Sequence, residues 1–123
     1  MKPLSVVVFQ GNSKSAESLA KSLYPHFRMV NVAHDMAELE TSIPRHRADV
    51  AIVDLELAGL EDVQRLKREF SATNFVCTHR LADEKMWSLA LAAGAIDCCS
   101  NSDVRSIVLA ASQIPRMAHS HAA

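Results

Sequence analysis

The chain has 123 residues, is 49% hydrophobic and 22% charged, and carries a formal net charge of -1. That size suits one soluble domain with a single core. The charge argues against a polyanion-binding domain, and 5% aromatic residues are too few for a base-stacking surface. No apolar run approaches the roughly 20 residues a membrane helix needs, so neither nucleic acid nor a membrane is an expected partner.

The opening MKPLSVVVFQ has one lysine, a short apolar stretch and no small-residue cleavage site. It reads as a first strand over 4–9, not as a signal peptide. Ala16, Leu19, Ala20 and Leu23 then recur at helical spacing before Pro25, which stops the helix. FRMVNV (27–32) is a second strand. Asp35 with Glu38 makes a capping-box-like start. Met36, Leu39 and Ile43 give the second helix its stripe, and Pro44 is expected to end it.

DVAIVDL (49–55) is a third strand, continuous in apolar residues like the first. Continuous runs imply burial on both faces, as in the middle of a parallel sheet. Val63, Leu66 and Phe70 mark a third helix, and NFVCT (74–78) a fourth strand. Asp83 can cap EKMWSLALAA, which runs to Gly94, a C-terminal stop. On that helix Met86, Leu89, Ala90 and Ala93 fall on one side, with Trp87 and Leu91 on another. AIDCC (95–99) is the fifth strand. Val104, Ile107, Val108 and Ala111 form the last helix, closed by Pro115. Residues 116–123, RMAHSHAA, carry no pattern and read as a flexible tail after a domain over 1–115. Their His119 and His121 make only a weak H-x-H.

Five alternating units predict an α/β fold, a five-stranded parallel sheet between two helical layers. Right-handed crossovers favour the flavodoxin-like order 2-1-3-4-5. Cys77, Cys98 and Cys99 are an odd count without metal spacing, which suits buried thiols in a reducing cytoplasm. Sites in such sheets form beyond the carboxyl ends of the strands. The residues delivered there are QGNS (10–13), DLELAG (54–59), THR (78–80) and SNSD (100–103). Asp54 ends the third strand, at the centre of that edge. Gly11, Asn12, Ser13 and Ser15 sit at the start of the first helix, where they either cap it or hold an anion. His79 beside Thr78 does not make a nucleophile-base pair, because adjacent strand residues point opposite ways.

The strand-helix alternation, VDLELAG after the third strand, Thr78 ending the fourth, and AAGAIDCC before the last helix resemble the receiver domain of bacterial response regulators. The resemblance covers roughly residues 4–114. It implies that Asp54 occupies the phosphoacceptor position and that Thr78 and Cys98 occupy the switch positions, where Cys98 replaces the usual aromatic residue. The acidic pair that holds magnesium in the family reads Gln10 and Gly11 here. The lysine-proline pair after the fifth strand reads Asn101 and Ser102.

Magnesium needs hard oxygen ligands, usually one or two carboxylates besides phosphate. Here Asp54 remains, with Glu56 as the only other candidate, which alternation in an extended stretch would send the same way. The expected protein is therefore a degenerate receiver, a pseudo-receiver, that is not an enzyme, has no cofactor and acts through protein contacts. The alternatives are a phosphorelay receiver using Asp54 with altered metal ligation, and a small-ligand-binding flavodoxin-like domain. The implied partners are a histidine kinase, an output domain or another regulator. A homodimer through the fourth helix, fifth strand and fifth helix is a further possibility, with Trp87 and Leu91 as interface candidates. The chain also reads as a possible N-terminal module of a longer regulator.

Overall fold

A computed structural model describes residues 4–11 and 13–113. The elements alternate as β1 (Ser5–Phe9), α1 (Ser13–Leu23), β2 (Met29–Ala33), α2 (Met36–Arg45), β3 (Val50–Asp54), α3 (Leu60–Glu69), β4 (Asn74–His79), α4 (Glu84–Ala93), β5 (Asp97–Ser100) and α5 (Val104–Ser112), with a 3-10 turn at Tyr24–His26 after α1. All strand pairs are parallel and the order is β2-β1-β3-β4-β5, the flavodoxin-like arrangement that the alternation predicts.

The continuous runs sit where two-sided burial requires them. Every residue of β1 and β3 is buried. Odd-numbered positions of the central strands (Val7, Ala51, Val53, Phe75, Cys77) pack with Leu39, Leu66 and Ala90 of α2, α3 and α4. Even-numbered ones (Val6, Val8, Ile52, Val76) pack with Leu19 and Ile107 of α1 and α5. Period-two alternation thus builds one core on each face of the sheet. Cys98 and Cys99 divide between those two cores, and all three thiols are buried and free.

Caps fix most helix starts. Asp35 accepts from the Glu38 amide at 2.7 Å, Asp83 from the Met86 amide at 2.9 Å and Asp103 from the Ser106 amide at 3.2 Å, each satisfying an orphan donor. Two expectations need correction. Pro44 does not end α2 but lies inside its last turn, where only one intrahelical donor is lost. The loop then closes by bonds from His46 to Ser42 and from Ala48 to Ile43. On α4, Leu89 is 41% exposed, because the buried stripe there runs through Met86, Ala90 and Ala93. Residues 116–123, Pro115, Asn12 and both tail histidines lie outside the described residues.

Gly94 closes α4 at φ 113°, and the Ala95 amide bonds back to the Ala90 carbonyl, a Schellman-type ending. A β-carbon at Gly94 would stand 3.0 Å from Lys67 Cγ. Lys67 is itself fixed, donating to the carbonyls of Ser71 and Thr73 at 2.9 and 3.0 Å. Gly94→Ala is therefore expected to lower stability by about 1–2 kcal/mol, from left-handed strain and this contact. A urea melt with unchanged slope and a lower midpoint is the measurement.

Candidate functional site

The register builds a row at the carboxyl edge of the sheet. Phe9 pairs with Val53 and Asp54 with Thr78, so Gln10, one step beyond Phe9, comes level with Asp54. Alternation places the three on the face toward α1 and α5. Gln10, Asp54 and Thr78 are 6%, 4% and 0% exposed. This row is nearly shut off from solvent.

Each polar group in the row has a partner, as burial demands. The Gln10 side-chain amide donates to the Thr78 hydroxyl at 3.0 Å. Because β3 lies between β1 and β4, that bond spans the end of β3, where Asp54 sits. The Asp54 carboxylate accepts from the Glu56 amide at 2.9 Å. The Asp54 backbone carbonyl takes the amides of Leu57 and Ala58. A β-carbon on Gly11 would lie 3.2 Å from the second carboxylate oxygen, so the bare glycine leaves room for the acid at this distance.

The chain turns straight after Asp54, so alternation does not carry on to Glu56. That expectation was wrong because the strand ends one residue too early. Instead Glu56 meets Arg80, with Nε 2.8 Å from the carboxylate. His79 turns away from Thr78 and accepts from the Leu81 amide at 2.9 Å.

The remaining candidates lie apart from this row. Cys98 pairs in register with Cys77, and Thr78 with Cys99. Cys98 therefore belongs to the core under α3 and α4, on the opposite face from Thr78. Asn101 and Ser102 line a recess of about 520 Å³ with Lys14 and Ser18 of α1. On α4, Trp87 is 44% exposed and its indole donates to Asp97 at 3.0 Å, while Leu91 is half-buried.

Burial pushes the Cys77 thiol up to about 12, with the neighbouring thiols adding to it. Burial likewise lifts Cys98 to about 11, with Asp97 and Asp83 contributing. Cys99 reaches about 12, through burial and then Asp97. Thiols held neutral in this way are poor nucleophiles, which agrees with reading them as packing residues.

Comparison with solved structures reads the same architecture. A response regulator from Thermotoga maritima superposes with a TM-score of 0.78 at 18% identity, covering 91% of this chain and 100% of that one. The fold is that of response-regulator receiver domains. HP1043, an orphan response regulator of H. pylori, gives 0.73 at 18% identity, with 88% and 96% covered. An atypical orphan response regulator, described as having a phosphorylation-independent regulatory mechanism, gives 0.73 at 19%, with 86% and 90% covered. No family model and no curated protein matches the sequence. Within the receiver fold, Asp54 ends β3 and Thr78 lies directly across from it on β4.

The row Gln10–Asp54–Thr78 was only half visible from the sequence. Gln10 stood out there as a missing carboxylate, not as a donor. Its signal was parity: residues 6, 8 and 10 share a face of β1, as 52 and 54 do in β3.

Proposed function

We propose that this chain is a pseudo-receiver, a signalling domain that works through protein contacts without ordinary magnesium-dependent phosphorylation. The observation that carries the reading is the bond from Gln10 to Thr78 across the end of β3. It ties to β1 the hydroxyl that would otherwise be free to move toward a phosphoryl group.

The donor set supports it. Phosphoryl transfer rests on positioning and on neutralising charge, with a metal bridging oxygens. Magnesium takes near-octahedral oxygen ligands. Asp54 is the one carboxylate in the row, Glu56 is committed to Arg80, and Gly11 has no side chain. Among the described residues no group of three His, Cys, Asp or Glu side chains is placed to hold a metal. These residues do not fit a magnesium ion.

Signalling then falls to surfaces. Leu81, Trp87, Leu89 and Leu109 are exposed apolar residues on or beside α4 and α5, side chains that a protein partner could cover. The partner is a protein of the signalling pathway, whether a histidine kinase, an output domain, another regulator or a second copy, and the setting is the cytoplasm. Among the described residues no helix is long and apolar enough to cross a membrane.

The test is a ¹⁵N amide spectrum with beryllofluoride and Mg²⁺, paired with intact mass after a small phosphodonor. The expected result is unchanged amides at Asp54, Glu56 and Thr78 and no added phosphoryl group. New amide positions at Asp54 and Thr78, or a phosphorylated mass, would establish the phosphorelay alternative instead.

A further inference from the structure

At the opposite, amino-terminal end of the sheet, three guanidinium groups gather around one recess. Arg28, Arg45, His46 and Arg47 line a cavity of about 350 Å³ together with Ser5 and Asp49. They come from two separate parts of the chain: Arg28 just before β2, the others from the end of α2 and the turn into β3. We propose that this recess binds a small oligophosphate, a ligand carrying two or more linked phosphoryl groups. The proposal does not depend on the signalling role above.

One local rule is broken here, and it concerns charge. Among the described residues the ion pairs engage His34, Arg65 and Arg80, and none engages Arg28, Arg45 or Arg47. Three exposed arginines therefore converge, free of ion pairs, on a recess whose lining holds a single carboxylate, Asp49. A cation in the last turn of a helix offsets its carbonyl end, but that role covers Arg45 alone.

The turn that carries two of the arginines is a helix ending. Arg47 sits at φ 49° and the Ala48 amide bonds back to the Ile43 carbonyl, the left-handed closure by which α2 stops. It fixes the backbone from which Arg45 and Arg47 reach the recess.

The floor beneath the cations is fixed. The Ser5 amide donates to the Asp49 carboxylate at 2.8 Å, the Asp49 amide returns to the Ser5 carbonyl, and the Ser5 hydroxyl reaches the His46 carbonyl at 3.3 Å. These bonds tie the α2–β3 turn to β1, so the arginines project from a rigid base. Guanidinium is a planar fork that meets phosphate oxygens two at a time. A recess of about 350 Å³ with three forks around it has room for more than one phosphoryl group, hence the linked groups. One carboxylate oxygen of Asp49 is taken by the Ser5 amide, so in the recess three arginines face a single carboxylate.

The experiment is a ¹⁵N amide titration of the whole chain with pyrophosphate, against sodium chloride and sulfate at matched ionic strength. Saturable shifts confined to Ser5, Met29 and Arg45–Asp49, seen with pyrophosphate only, are the expected result. Arg28→Gln with Arg47→Gln should weaken binding by about tenfold or more, as loss of charge-assisted forks predicts. Arg28→Lys keeps the charge, loses the fork and should weaken it less. It also serves as the readout if the double variant fails to fold. Shifts that do not saturate, that sulfate or chloride reproduces, or that persist with equal affinity in the variants would overturn the proposal.

Discussion

Raising the pH above 9 is expected to unfold this domain steeply, and the three buried thiols are the reason. Each holds its proton in the folded state to about 12, 11 and 12 for Cys77, Cys98 and Cys99, while in the unfolded chain a thiol releases it near the ordinary value of 8.5–9. A pKa raised on folding contributes stability that is complete below the unfolded value and is lost as pH climbs toward the folded one. Each thiol then costs up to about 1.4 kcal/mol per pH unit, so the three together cost about 4 kcal/mol for every unit between pH 9 and 11. A domain with about 5–15 kcal/mol of stability has little left after two such units. Lys67 opposes this in part, since burial holds its ammonium below the ordinary range, but it is one group against three. Urea melts at pH 8, 9 and 10 measure the slope. The Cys77→Ala/Cys98→Ala/Cys99→Ala variant should lose most of it. Equal midpoints for the native chain at pH 8 and 10 would refute the assignment.

The architecture was legible because burial on two faces writes itself into sequence. VVVF and VAIV admit no polar residue, so they could only be central strands. Helix ends were less legible. Pro44 looked like a terminator, yet its missing donor is tolerated within α2 because the next residues bond past it, His46 to Ser42 and Ala48 to Ile43. Leu89 looked like core, yet on a helix apolar almost all round, sequence does not say which stripe meets the sheet. Small Ala90 and Ala93 do so, where close approach favours a methyl over a larger side chain.

At the site, the position of Asp54 at the end of β3 followed from strand order alone. The bond from Gln10 to Thr78 did not. Glu56 was misplaced by extending alternation past the strand's last residue. Arg80, lying between a strand and a helix with no pattern of its own, gave no sign that it would claim Glu56. Arg28 and Arg47 are 19 positions apart in sequence (47 minus 28), and only the fold brings them to one recess. Contacts across strands and between loops are decided by register, which hydrophobic patterning constrains only to the nearest residue.

The Gln10–Thr78 bond should therefore reveal itself as a coupling. Thr78→Val keeps the shape of the side chain but leaves the Gln10 amide without a partner in a site that is almost wholly buried. The expected cost is about 1–3 kcal/mol, the penalty for an orphaned buried donor. Gln10→Met leaves the Thr78 hydroxyl similarly stranded and should cost a comparable amount. The double variant strands neither group, so it should approach native stability, because replacing both partners with apolar groups of similar shape is nearly neutral. The single-variant costs would then sum to more than the cost of the double, and that excess is the coupling energy. Urea melts of the four proteins supply it. Strictly additive costs would mean that the two side chains do not depend on each other, and the lock over Asp54 would have to be abandoned. A positive coupling carries a further consequence. In Gln10→Met the Thr78 hydroxyl is no longer held by β1, so microsecond-to-millisecond exchange at the Thr78 amide should rise above that of the native chain.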